Sequence, residues 1–165
     1  MIAALALVVA TLAPGCLAPP VPGPVTQPFR APACTYCPGH RGIEFGALAG
    51  TPVRAVVAGT VTFAGKVAGT TYVVLAQADG LTATYGFLQA PAVRRGAVIA
   101  AGQEVGRSTQ RVYFGWRQGD LPVDPTPVLG RWRGRSRLVP TDGSRGRPGG
   151  AGTVRLQCPS GLSEP

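Results

Sequence analysis

The sequence predicts an all-β domain built from antiparallel strands. Short runs rich in valine, threonine and aromatic residues alternate with glycine-containing turns through the middle of the chain, and helices have little support anywhere. The strand-like runs cover residues 53–57, 60–64, 71–75, 81–85, 97–105 and 111–116. Turns follow at Ala58-Gly59, at residues 78–80 and at Arg95-Gly96, a spacing typical of consecutive strands joined by tight connections.

Residues 1–15 are predicted to form a signal peptide. The apolar run at residues 2–13 is too short to span a bilayer comfortably, and Pro14-Gly15-Cys16 follows it. No lysine or arginine precedes Arg30, so the usual charged start of a leader is missing. We expect an exported protein of the cell envelope or the extracellular space. Cleavage before Cys16 would leave a first cysteine, which resembles the lipobox of bacterial lipoproteins and makes Cys16 a lipidation candidate, although Pro14 departs from that pattern.

Two proline- or glycine-rich segments flank a core at residues 30–130. Residues 16–29 contain several prolines and are predicted to be an extended linker. After Leu129 the strand pattern gives way to glycine, proline and arginine, with one weak strand candidate at residues 153–156. We expect residues 131–165 to be a weakly ordered basic tail unless Cys158 ties them down.

The charge balance is strongly basic for a chain with few charged residues. Charged side chains make up 14% of the 165 residues, yet the net charge is +9, and Lys66 is the only lysine. An excess of positive charge favours anionic partners such as nucleic acid, phospholipid headgroups or anionic wall polymers. An equal alternative is that the arginines reflect genome base composition and a solvated tail without a binding role. The carboxyl-terminal arginines are Arg131, Arg133, Arg135, Arg137, Arg145, Arg147 and Arg155.

The four cysteines allow two disulfides, or one disulfide and an odd thiol if Cys16 is acylated. Cys34 and Cys37 lie close in sequence to His40 and Glu44, so a thiolate metal cluster is an alternative. An exported chain meets an oxidising compartment, which favours disulfide bonds among Cys34, Cys37 and Cys158. The sequence leaves their connectivity open.

His40 is the only histidine, which limits any hydrolytic metal chemistry. Catalytic zinc keeps three protein ligands and one open position for the water that it acidifies. His40 and Glu44 can supply two of these ligands. The sequence therefore suggests an enzyme scaffold without its full catalytic set.

Several motifs follow one another in order through the central part of the chain. They are Gly39-His40-Arg41-Gly42-Ile43-Glu44, residues 50–55, residues 58–65, Asp79-Gly80-Leu81, residues 84–88, and Gly119 with Val123-Asp124-Pro125. In order and spacing these motifs resemble those of the M23 peptidases, the lysostaphin-like or LytM-type domains that cleave peptidoglycan cross-bridges. The resemblance extends from about residue 25 to residue 129 and implies an antiparallel β-sheet with a groove across one face.

The resemblance also implies where the family's site residues fall. The ligand His and Asp correspond to His40 and Glu44, which are therefore vestigial or doubtful metal ligands. The family's Tyr-x-His-Leu strand appears as residues 85–88, with Phe87 at the histidine position, and its His-x-His-Phe strand appears as residues 111–114. Arg111 then stands at the position of a catalytic histidine, and Tyr113 stands at the position of the third metal ligand. Phenylalanine cannot transfer a proton, arginine adds a permanent charge, and tyrosine, with an ordinary pKa of about 10, is an unusual zinc ligand.

Alternative roles for these residues remain open. His40 can form hydrogen bonds without a metal, and Phe87, Tyr113 and Trp116 can be core aromatics of the sheet. Aromatic side chains lining the groove are the sharper hypothesis.

We interpret the chain as an exported, non-catalytic M23-like module that binds peptidoglycan peptide stems or regulates another wall hydrolase. Phe87, Arg111 and Tyr113 would form its binding surface, with no cofactor, no nucleic acid partner, and membrane contact only through the leader or a lipid anchor. The first alternative is an active zinc metalloendopeptidase that cleaves peptidoglycan cross-bridges with His40, Glu44 and a further ligand. A remote alternative is a biotinyl- or lipoyl-type carrier domain modified at Lys66.

Overall fold

The computed structural model describes residues 15–34, 36–133 and 155–161, and all regular secondary structure in these residues is β-strand. The all-β antiparallel prediction is therefore confirmed. None of the described residues belongs to a helix long and apolar enough to cross a membrane. The strands are β1 (Val25–Gln27), β2 (Ile43–Gly46), β3 (Pro52–Arg54), β4 (Gly59–Val67), β5 (Thr70–Ala76), β6 (Leu81–Pro91), β7 (Val98–Ile99), β8 (Glu104–Gln118), β9 (Leu121–Val123), β10 (Arg131–Arg133) and β11 (Arg155–Gln157).

Nine strands form one antiparallel sheet with β8 near its centre. The main path runs β1-β2-β8-β6-β5-β4-β7, while β3 and β9 also pair with β8. The predicted run at residues 97–105 is divided, because the turn that includes Gly102, with φ of 80°, separates β7 from β8. The 15-residue β8 contacts four other strands, so it positions most of the sheet.

The core lies on one face of the sheet, where strand residues alternate between inside and outside. Val112, Phe114 and Trp116 of β8 point inward, and the Phe114 ring lies 5.4 Å from Tyr85 and 6.1 Å from Trp116. Tyr85 is fully buried, and its hydroxyl oxygen accepts a hydrogen bond of 2.8 Å from the backbone N–H of Val56. Burial raises the pKa of this phenol, so the hydroxyl stays protonated.

Residues 16–29 are extended, but they are not a free linker, and this expectation needs correction. Pro20 and Val21 are buried, and the Pro20 carbonyl accepts a hydrogen bond from the Arg54 N–H. β1 pairs with β2, which makes it an edge strand of the main sheet. Prolines keep the segment extended, while the apolar residues between them pack on the core.

Part of the predicted tail forms a second, two-stranded sheet. β10 pairs antiparallel with β11, and Leu156 is buried. The Cys16–Cys158 disulfide connects this hairpin to the amino-terminal segment, where Leu17 pairs with Leu129. Cys158 therefore ties down the described part of the tail, while residues 134–154 and 162–165 lie outside the described residues.

The disulfide also corrects the lipidation hypothesis for Cys16. Its sulfur is bonded to Cys158 and is buried, so it is not the free thiol that acylation needs. The second disulfide joins Cys34 to Cys37, so the predicted disulfides form and their connectivity is now defined. The predicted signal peptide at residues 1–15 falls almost entirely outside the described residues.

We expect Tyr85→Phe to lower the free energy of unfolding by about 1–3 kcal/mol, because the buried Val56 N–H loses its acceptor. Urea denaturation measures this change. Tyr72→Phe is a matched control, since Tyr72 lies on the outer face of the neighbouring strand and is only half-buried. An equal loss in both variants would contradict the assigned hydrogen bond.

We expect Cys158→Ser to destabilise the protein by about 2–4 kcal/mol, because the cross-link restricts the unfolded chain over 142 residues. Limited proteolysis should then cut first near β10 and β11. Cys34→Ser/Cys37→Ser is the comparison, since that disulfide spans three residues and restricts little of the unfolded chain. Unchanged protease resistance of β10 and β11 in Cys158→Ser would refute the role of the cross-link.

Candidate functional site

The site residues come together because three adjacent strands share one register. Glu44 of β2 pairs with Tyr113 of β8, which pairs in turn with Gly86 of β6. The neighbouring residues in these strands, Ile43 and Phe114 among them, point into the core. Glu44 and Tyr113 therefore lie side by side on the outer face of the sheet, as the family resemblance implies.

His40 lies beside Glu44 in a segment that pairs with residue 30. Its backbone exchanges hydrogen bonds of 2.8 and 2.9 Å with Arg30. The ring Nδ1 lies 2.9 Å from the Pro28 carbonyl, which can only accept, so Nδ1 carries the proton. Nε2 lies 3.6 Å from Glu44 Oε1 and has no hydrogen-bond partner among the described residues. The ring therefore aims a buried nitrogen at the carboxylate.

Arg111 joins Glu44 to Phe87. Its Nη1 lies 3.5 Å from Glu44 Oε2, and its guanidinium carbon lies 3.8 Å from the centre of the Phe87 ring, a cation–π distance. The Glu44 side chain is only 12% exposed, while that of Arg111 is 55% exposed. The guanidinium thus neutralises the carboxylate and still presents donors to solvent.

Phe87 has an unusual backbone conformation. Its φ is +60°, and β6 is irregular between Gly86 and Leu88. Thr109 Oγ1 donates a hydrogen bond of 3.0 Å to the Phe87 carbonyl, which fixes this bulge against β8. Left-handed backbone costs energy for a bulky residue, so the bulge depends on such contacts, and it carries the aromatic ring that stacks on Arg111.

Tyr113 occupies a space formed by glycines. A side chain at Gly42 or Gly115 would collide with its ring, since an added Cβ would lie 2.7 Å from ring atoms or 2.6 Å from the hydroxyl oxygen. The hydroxyl therefore lies over Gly115, and it forms no hydrogen bond to His40 or Glu44. The His40 ring meets Tyr113 edge-on at 5.9 Å between centres. Burial raises the pKa of the Tyr113 phenol, which keeps it protonated at neutral pH.

The donor set does not fit a catalytic zinc ion. His40 and Glu44 are placed as two donors, and the carbonyl contact at Nδ1 is a usual support for a ligating histidine. The Tyr113 phenol, with its raised pKa, is a poor third ligand. The Arg111 guanidinium opposes a divalent cation at the same carboxylate. Among the described residues, no group of three or more His, Cys, Asp or Glu side chains could hold a metal.

The thiolate cluster weighed from the sequence is also corrected. Cys34 and Cys37 are bonded to each other, so neither sulfur is a thiolate available to a metal beside His40. Cys34 itself is exposed, in a loop that leads directly to His40.

An open groove of about 940 Å³ runs along the same face of the sheet. Arg111 and Glu44 form its charged part, and polar side chains from β1, β6 and β8 line the rest: Thr26, Gln27, Gln89, Thr109 and Gln110. The groove therefore offers a cationic group and a carboxylate among hydrogen-bonding side chains.

The structure separates the three aromatic residues proposed from the sequence. Trp116 belongs to the core. Phe87 and Tyr113 are partly buried and neither lines the groove, so the predicted aromatic lining is wrong, although Phe87 stacks on Arg111, which does line it. Sequence reasoning missed Thr109 and the Pro28 carbonyl, since neither belongs to a motif. The glycines at positions 42 and 115 were visible, but only the structure shows that they make room for Tyr113.

A family model described as peptidase family M23 matches residues 38–125, which is more than half of the chain. An uncharacterised protein of Haemophilus influenzae is 38% identical over 94 residues, covering 52% of this chain and 23% of that protein. The DD-carboxypeptidase/endopeptidase Mpg of Neisseria meningitidis is 36% identical over 96 residues, covering 54% and 22%. The chain thus spans about a quarter of the length of these two relatives.

Solved structures show the same architecture. A mutant form of the catalytic domain of the prophage-encoded M23 protein EnpA from Enterococcus faecalis has a TM-score of 0.55 at 27% identity, covering 64% of this chain and 90% of that chain. Csd3 of Helicobacter pylori has a TM-score of 0.61 at 23% identity, covering 70% and 35%. A chain of the SpoIIIAH–SpoIIQ complex has a TM-score of 0.60 at 22% identity, covering 67% and 97%. Together with the family match, these findings place the chain in peptidase family M23.

Proposed function

We propose that this M23 domain is an exported, non-catalytic module whose groove binds peptidoglycan peptide stems without cutting them. The observation that carries the proposal is the Arg111 guanidinium, which lies against Glu44 and Phe87 where a peptidase of this family would need a metal and a histidine. At the positions of the family's catalytic residues, this chain carries Phe87 and Arg111, whose side chains suit ligand binding and cannot act as the histidines would. Regulation of another wall hydrolase is a second form of the same non-catalytic role.

Arg111 suits a carboxylate ligand. A guanidinium offers several N–H donors in a fixed plane, and it can bind a carboxylate through two parallel hydrogen bonds. Its contact with Glu44 at 3.5 Å is long and engages one nitrogen, Nη1. The remaining donors face the groove, since the side chain is more than half exposed. A peptide stem carries free carboxyl groups of this kind.

Phe87 and Tyr113 supply apolar surface beside that cation. Neither lines the groove itself, but both are partly buried beside it, and Phe87 stacks on the Arg111 guanidinium that does line it. Aromatic faces bind apolar side chains and sugar rings without any change in protonation. Binding of this kind does not require a metal, which distinguishes the proposal from a peptidase mechanism.

Export is part of the proposal. It is supported by two disulfides, which persist in oxidising compartments. The predicted leader adds to this support. A carrier role for Lys66 has no comparable support, since membership of the M23 family explains the motifs around it.

We expect the purified protein to sediment with isolated peptidoglycan in the presence of a chelator and to release no soluble fragments. Arg111→Ala should weaken this binding about tenfold to a hundredfold, the loss expected for a charge-assisted hydrogen bond. Tyr113→Ala should also weaken binding, because apolar contact is lost. His40→Ala should weaken binding less than either of these substitutions.

Arg107→Ala is the matched control for this experiment. Arg107 lies on the same strand, its side chain is 57% exposed, and it pairs with Glu104 outside the groove. Both variants remove one positive charge from β8. Equal losses of binding in the two variants would contradict a specific role of Arg111 in the groove.

The active-peptidase alternative rests on one observation. His40 presents a buried Nε2, with no described hydrogen-bond partner, toward Glu44, and its Nδ1 contacts a backbone carbonyl in the manner of a metal ligand. Half of a zinc site is thus in place. Zinc-dependent digestion of isolated peptidoglycan that His40→Ala abolishes would replace our proposal with this one.

We expect the native protein to retain less than one zinc per chain after dialysis, because two ligands hold a catalytic ion weakly. Arg111→His/Tyr113→His should retain about one zinc per chain, because position 113 lies opposite Glu44 and the arginine charge is gone. Atomic emission spectroscopy measures the metal content. Arg111→Ala/Tyr113→Phe is the control that removes the same side chains without adding donors. One tightly bound zinc in the native protein would contradict our interpretation.

A further inference from the structure

The β10–β11 hairpin presents three arginines on one side. Arg131 and Arg133 alternate with Trp132 along β10, so their side chains share a face. Arg155 pairs directly with Arg133, and Gln157 pairs with Arg131, which adds both to the same face. All four residues are exposed. We name Arg131, Arg133 and Arg155 the arginine face.

The arginine face is electrostatically unfavourable on its own. Like charges directly opposite each other on paired strands destabilise a sheet, as Arg133 and Arg155 do here. Within the described part of the chain, no carboxylate pairs with any of the three. Arg133 Nε donates a hydrogen bond of 3.1 Å to Gln157 Oε1, an uncharged amide oxygen that leaves the positive charge in place. Positive charge therefore remains free on this surface.

Packing on the opposite side holds these charges together. Leu156 is buried, and a side chain at Gly130 would collide both with Leu156 and with the sulfur of Cys16. The Cys16–Cys158 disulfide joins the hairpin to the amino-terminal segment. The arginine face is therefore fixed in place before any ligand arrives, which lowers the entropic cost of binding.

We propose that the arginine face binds a phosphodiester polymer that carries no nucleobases, such as a polyol-phosphate chain. Guanidinium groups match phosphate oxygens with two parallel hydrogen bonds, and a row of them can follow a repeating anion. This inference is independent of the groove and of the function proposed for it.

The arginine face lacks the features that nucleic acids and membranes need. Proteins that bind single-stranded nucleic acid stack bases on aromatic side chains placed among the basic residues. Here the exposed Trp132 lies on the opposite face of the hairpin from the three arginines. The remaining residue of the arginine side is Gln157, so this side offers no apolar side chain for insertion into a bilayer. A polymer of phosphate and polyol needs neither feature.

The test is titration calorimetry of the full chain with a glycerol-phosphate polymer. We expect Arg131→Gln/Arg133→Gln/Arg155→Gln to bind at least about tenfold more weakly than the native protein. The slope of log K against log salt should fall by about 2, since each lost phosphate contact on a single strand contributes about 0.7. Lys66→Gln/Arg94→Gln/Arg95→Gln is the matched control, because it removes the same charge from exposed sites outside the hairpin, in β4 and in the connection between β6 and β7.

Comparisons on the native protein keep the test decisive if the triple variant folds poorly. The glycerol-phosphate polymer should bind at least about tenfold more tightly than polyglutamate of equal charge, because guanidinium groups along a row match closely spaced phosphates. The proposal is overturned by equal affinity for the two polymers, or by an equal loss in the control variant. It is also overturned if oligothymidylate binds more tightly at equal phosphate concentration, or if phosphatidylglycerol vesicles are preferred to the soluble polymer.

Discussion

The pairing register of β8 determines what the groove can contain. Because side chains alternate along a strand, a shift of one residue would turn Arg111 and Tyr113 into the core and bring Val112 and Phe114 to the surface. Contacts with β2, β3, β6 and β9 hold this register, and the buried rings of Phe114 and Trp116 stabilise it. The core that sets the register lies on the other face of the sheet from Glu44, Arg111 and Tyr113, so residues on that outer face can depart from the family pattern without disturbing the fold.

Arg111 supplies the positive partner of the Glu44 carboxylate. A carboxylate that is 12% exposed is costly without a positive partner, and the Arg111 guanidinium lies 3.5 Å from its Oε2. The same guanidinium is supported by the Phe87 ring. That ring reaches it through a left-handed bulge anchored by Thr109. Phe87 and Arg111 therefore form one structural unit, which explains why two departures from the family pattern stand together at this site.

The sequence predicted the fold better than it predicted the contacts. The alternation of apolar and polar residues, together with the glycine turns, was enough to predict β4, β5 and β6, because tight connections join these three strands. Residues 97–105 were predicted to form one strand, but a turn at Gly102 divides them between β7 and β8. The apolar composition on both sides of the turn resembles that of a continuous strand. Residues 16–29 appeared to be a linker because proline marks extended backbone, whether it is packed or free. The family motifs predicted the site residues. Their geometry depends on partners distant in sequence, such as the Pro28 carbonyl for His40, and no local pattern encodes those.

The two charged surfaces of this chain differ in a way that separates their roles. Arg111 lies in a groove with its charge largely offset by Glu44, so it favours a ligand that adds shape and directed hydrogen bonds. The arginine face is open and has no described carboxylate near it, so it favours a ligand that adds charge at a regular spacing. The first kind of binding resists salt, and the second weakens steeply with it. If both proposals hold, the hairpin would keep the chain near an anionic polymer while the groove binds nearby peptides. The Cys16–Cys158 disulfide joins the hairpin to the amino-terminal segment, whose Val21 packs into the core of the main sheet.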